Sequence, residues 1–69
     1  MTDAQFKILM ESSEVFKAFP KFKQNIFLSN KSIQRLQDYY EQAKRYGIEY
    51  LKQNPHLTIS EINLIESIL

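Results

Sequence analysis

The chain has 69 residues and a mass of 8.2 kDa, enough for one domain and no more. It is 43% hydrophobic and 25% charged, with net charge +1, an ordinary balance for a folded protein. With no cysteine and one histidine, it excludes disulfide staples and zinc sites built from Cys and His.

Other classes fall away on similar grounds. No run approaches the roughly 20 apolar residues of a membrane span. Met1-Thr2-Asp3-Ala4-Gln5 lacks the basic and apolar regions of an export signal. A cytoplasmic location without membrane attachment is therefore the expectation. A single glycine, Gly47, excludes Gly-rich phosphate loops and Asn-Gly hairpins. Helix formers dominate, alternating strand patterns are missing, and nothing repeats internally.

The first element is opened by Thr2 and Gln5, which have the spacing of a capping box. Phe6, Leu9 and Phe16 then share one face, with Met10 at its margin and Ser13 inside it. The favoured reading is one helix from about residue 3 to 18. The alternative is a break at Ser12-Ser13, with Ser13 capping a second short helix that starts at Glu14.

Pro20 ends that segment, because the residue before a proline is pushed out of the α region. Proline also suits a first helical turn, so residues 20–28 read as a short helix. Phe22, Ile26 and Phe27 are its expected buried side. Ser29-Asn30 supplies the next break and cap.

The strongest pattern spans residues 31–53, a helix of roughly 35 Å. Ile33, Leu36, Tyr40, Ala43, Gly47 and Tyr50 recur at 3-4-3-4-3 spacing, a heptad seam. Tyr39, Tyr46 and Leu51 widen the stripe, and Asn54-Pro55 stops it. Thr58-x-x-Glu61 is a second capping box, directly before Ile62, Leu64, Ile65, Ile68 and Leu69. The fold class expected is all-α: a bundle of about four helices around one long central helix.

Three features bear on function. Charge is segregated: residues 15–37 carry Lys17, Lys21, Lys23, Lys31 and Arg35 and no acid, whereas residues 1–14 and 57–69 are each net −2. Interleaved with phenylalanines, that segment reads either as a phosphate-contacting surface or as lysines solvated around a corner. All four tyrosines (Tyr39, Tyr40, Tyr46 and Tyr50) lie on the long helix, which suits a core rim or a protein interface. Ala43 and Gly47, four apart at the centre of the seam, suit close approach of another helix, from this chain or from a partner. A helix-turn-helix at Ala43 and Gly47 fails further on, at Gln53 and Pro55.

His56 has no arranged nucleophile or acid near it in sequence, and no cofactor or metal is expected. The chain reads as a non-enzymatic protein-interaction module, a regulator, inhibitor or adaptor. Its expected interface is Tyr39, Tyr40, Ala43, Tyr46, Gly47, Tyr50, Leu64 and Ile68. Self-association is expected too, because Leu64 and Ile65 are not expected both to face one small core and because the long helix carries a stripe wider than one neighbour covers. The competing reading is a nucleic-acid-binding regulator that uses Lys17, Lys21, Lys23, Lys31 and Arg35.

Overall fold

The computed structural model describes residues 1–69, and every regular element in it is a helix. Thr2 opens α1 (Asp3–Glu11) with the reciprocal pair its spacing predicts. Thr2 Oγ1 accepts the Gln5 N–H at 3.1 Å, and Gln5 Oε1 accepts the Thr2 N–H at 2.9 Å. Two backbone donors that a helix start leaves unpaired are thereby satisfied.

The single helix expected over residues 3–18 is in fact two. α1 ends at Ser12, and Ser13 caps α2 (Glu14–Ala18), its Oγ accepting from the Val15 and Phe16 amides. A serine hydroxyl competes for backbone partners, which is why it suits a break better than a helix interior. Here the buried Ser13 also meets Ser67 Oγ at 2.5 Å. Phe6, Met10 and Phe16 all reach the core; Met10 is fully buried rather than marginal.

Phe19 is extended, with φ −71° and ψ 148°, as a residue before proline should be. Pro20 then precedes α3 (Lys21–Phe27). Its expected buried side is only partly realised: Phe27 is buried, but Phe22 and Ile26 point to solvent. In the helix, Phe22 and Ile26 share a face while Phe27 lies roughly 100° round from Ile26. α3 packs chiefly on α4 (Asn30–Tyr46), and one neighbour covers one face.

The long helix predicted over 31–53 is shorter. Ser29 Oγ accepts the Ser32 amide to start α4, and Ile33, Leu36, Tyr40 and Ala43 form its buried seam. At Gly47 the backbone turns to φ 93° and ψ 157°, a region that side-chain-bearing residues rarely enter. The Gly47 N–H still reaches the Ala43 carbonyl at 2.8 Å, and α5 (Ile48–Lys52) begins anew beyond it. The seam therefore ends at Ala43. The bend sends Leu51 into the core and leaves Tyr46 and Tyr50 outside.

α6 (Ile59–Ile68) opens with the second capping box, Thr58 Oγ1 accepting the Glu61 amide at 3.2 Å and Glu61 Oε1 accepting the Thr58 amide at 2.9 Å. Leu64 and Ile65 are both 0% exposed, against the expectation that one small core could not hold both. The reason is that α6 is enclosed: it contacts α1, α2, α4 and α5. Side chains roughly 100° apart on it therefore all meet protein. Ile68 is buried as well, and Leu69 is half exposed.

Phe6, Met10, Ile33, Leu36, Leu51, Leu64 and Ile65 form the innermost core. The accessible surface of 4582 Å² matches the roughly 4,500 Å² of a compact monomer of this mass. The Cα radius of gyration, 11.0 Å, is likewise that of one folded domain of this length, about 11 Å. No buried side-chain nitrogen or oxygen lacks a hydrogen-bond partner. No helix is long and apolar enough to cross a membrane.

Candidate protein-interaction surfaces

The residues expected to form one interface do not share one surface. Tyr40 is buried against Phe6, ring centroids 5.5 Å apart, with the Lys44 ammonium 5.2 Å from its ring centre. Tyr39 is half-buried, with the Arg35 guanidinium 5.2 Å from its ring centre. Ala43, Leu64 and Ile68 are inside this chain's own core. Gly47 is exposed, and a Cβ built on it would meet nothing within 4 Å, so no helix of this chain packs on it. Its glycine is required by backbone conformation, not by close packing.

Tyr46 and Tyr50 are what remains of the aromatic face. They are 58% and 50% exposed, and their tilted rings lie 5.0 Å apart across the Gly47 bend. With Glu41, Gln42 and Arg45 they line a shallow depression of about 360 Å³.

The basic segment is also divided. Lys17 lies 3.6 Å from Glu14. Lys23 Nζ donates to Ser60 Oγ at 2.7 Å and sits 4.8 Å from the Phe19 ring centre. Arg35 is held most firmly: its Nε donates to Glu61 Oε2 at 2.9 Å and its Nη2 donates to the His56 carbonyl at 2.6 Å. Only Lys21 and Lys31 are exposed and free of both a carboxylate and a hydrogen-bonding partner.

The Arg35–Glu61 pair shapes both titrations. Burial alone pushes the Glu61 carboxyl up, but the hydrogen bonds from Arg35 and Thr58, with the Arg35 charge, outweigh it and hold the carboxyl below its ordinary value. The hydrogen bond to Glu61 raises Arg35 above its own ordinary value. Arg35 is thus a structural cation that joins α4 to the start of α6, and it is committed before any phosphate arrives.

A surface that the sequence reading missed lies between α3 and the start of α6. Phe22, Ile26 and Phe27 from α3, with Thr58, Ser60 and Glu61, line an open groove of about 520 Å³. Phe22 is 68% exposed and Ile26 57%. The available signal was the spread of Phe22, Ile26, Phe27 and Leu28 around a short helix. Such a spread exceeds what one packing neighbour can cover.

Comparison of the chain with protein-family models, with curated proteins and with solved structures finds no match. The functional argument therefore rests on the chain's own residues.

Proposed function

We propose that this chain is a small non-enzymatic protein-interaction module that docks a segment of another protein in the groove between α3 and α6. The observation that carries this reading is the Phe22–Ile26 pair. Two large apolar side chains one turn apart, each more than half exposed, lie beside a concave surface whose floor includes Phe27. Apolar anchors spaced at i and i+4 beside a groove suit the helix-in-groove mode of peptide recognition. An exposed apolar pair beside a concavity suits an interaction surface, whereas a single exposed apolar residue such as Ile8 needs no partner.

Selection from a displayed library of helical peptides tests the proposal. Enriched peptides should bind the wild-type chain and lose binding to a Phe22→Ser/Ile26→Ser variant that retains its helical circular dichroism. Absence of enrichment, or binding indifferent to the two substitutions, removes the groove as a docking site.

Self-association is a second reading, and the exposed Tyr46–Tyr50 pair is what favours it. Two-fold pairing would place that patch against its own copy. A sedimentation-equilibrium mass near 8.2 kDa at all micromolar concentrations removes it. The nucleic-acid reading is weakened by the engagement of Lys17, Lys23 and Arg35 within the fold. A steeply salt-dependent DNA or RNA complex would restore it.

A further inference from the structure

Resting on the groove as the docking site, we infer that its occupant is an acidic amphipathic helix of a partner protein, with apolar residues on one face and carboxylates beside them. The argument is charge complementarity around an apolar floor. Lys21 and Lys23 bracket Phe22 on α3, and Lys31 follows in the first turn of α4. None of the three lies within ion-pairing distance of a carboxylate. From residue 15 to residue 37 there is no acid at all. The one carboxylate in the groove, Glu61, is already neutralised by Arg35 and accepts from Thr58. An incoming basic segment would therefore find no free anion there. An incoming acidic one would meet Lys23, which lines the groove held by a neutral hydroxyl and an aromatic ring but by no carboxylate, and Lys21 beside Phe22 on the same helix. Complementary rim charges set orientation and association rate, while the apolar floor supplies the contact.

The same features speak against other polyanions. A polyanion without an apolar face would leave Phe22 and Ile26 uncovered. The best phosphate ligand on the segment, Arg35, is occupied.

Three synthetic peptides of roughly 18 residues, about five helical turns, separate the outcomes. All carry the same leucine stripe at i, i+3, i+4 and i+7; the remaining positions are Glu in one, Gln in the second and Lys in the third. Binding is followed by backbone amide shifts of the isotope-labelled protein at two salt concentrations. The Glu peptide should shift residues 21–27 and 58–61 and bind at least about tenfold more tightly than the Lys peptide. Raising the salt should narrow that gap. Lys21→Gln/Lys23→Gln/Lys31→Gln should reduce the preference for Glu over Lys, while the Gln peptide should still shift residues 21–27 and 58–61.

Equal or tighter binding of the Lys peptide in the groove overturns the acidic partner and leaves the docking site standing. Failure of all three peptides to shift the groove overturns both. Concentration-dependent shifts there without peptide identify a second copy as occupant and overturn the proposal. Preferential shifts there with a DNA duplex or phosphatidylserine vesicles, tested in parallel, overturn it as well.

Discussion

Arg35 Nε and Glu61 Oε2 lie 2.9 Å apart, and that contact joins the second turn of α4 to the first turn of α6 across 26 residues of chain. Glu61 also closes the α6 capping box, so one carboxylate serves both the start of a helix and its attachment to a neighbour. Arg35→Ala should leave a mostly buried carboxylate without its cation. The cost should be about 1–3 kcal/mol, read from the urea midpoint. Arg35→Gln, made with the exposed lysines, should destabilise where Lys21→Gln and Lys31→Gln do not.

The same pair predicts an acid dependence. In the fold Glu61 holds its proton less tightly than in the unfolded chain, so in that range the unfolded state binds more protons and stability rises with pH. The contribution is complete above the ordinary value, near 4.5, and is lost as the pH falls through the lower folded value. Glu61→Gln should flatten this part of the stability profile. An unchanged slope between wild type and variant in chemical denaturation across that range would contradict the assignment.

Gly47→Ala should destabilise by about 1–3 kcal/mol, because φ 93° with ψ 157° is a region essentially reserved for glycine. Space is not the obstacle, since nothing lies within 4 Å of the Cβ position. Gly47→Leu should therefore cost about as much as Gly47→Ala. A much larger loss for leucine would mean that packing sets the requirement.

Ser13→Ala should cost about 1–2 kcal/mol through loss of the α2 cap. Ser67 Oγ gives its only proton to the Leu64 carbonyl, at 2.6 Å, so Ser13 donates across the 2.5 Å contact between the two hydroxyls. Ser67→Ala leaves the α2 cap in place and should cost less than Ser13→Ala. Thermal denaturation of the two single variants orders them.

The core and the exposed apolar pair should respond in opposite ways. Ile65→Ala, at a fully buried site enclosed by several helices, should cost about 2–5 kcal/mol. Phe22→Ser should change stability little, within about 1 kcal/mol, and should improve solubility. A large loss at Phe22 would place that ring in the packing rather than at a docking surface.

The local punctuation of this fold was legible in the sequence. Thr2 with Gln5 and Thr58 with Glu61 announce helix starts, and Phe19-Pro20 announces a corner, because each acts through neighbours a few residues away. The all-α class and the seam of Ile33, Leu36, Tyr40 and Ala43 followed from periodicity. Periodicity failed at Gly47 because a seam carries no record of backbone φ: Tyr50 keeps the register of a helix that the glycine has already ended. It failed at Phe22 and Ile26 because exposure depends on how many neighbours a helix has, and that is decided by α4 and α6 elsewhere in the chain. Leu64 and Ile65 were misjudged for the same reason, with the opposite sign. The groove, made by segments some 30 residues apart, had no linear signature.

The contact between α1 and α6 has a consequence for biosynthesis. Phe6 and Met10 are made well ahead of their partners: Tyr40 of α4 follows Phe6 by 34 residues, and Leu64 and Ile65 of α6 come 54 or more residues after Met10. At roughly 5–20 residues per second, α1 waits roughly 3–11 s for them. A nine-residue helix does not hold its shape alone in water for that interval. The native core therefore closes only once α6 has been synthesised and is free to dock, and until then the side of α1 that α6 covers is open to holdase chaperones.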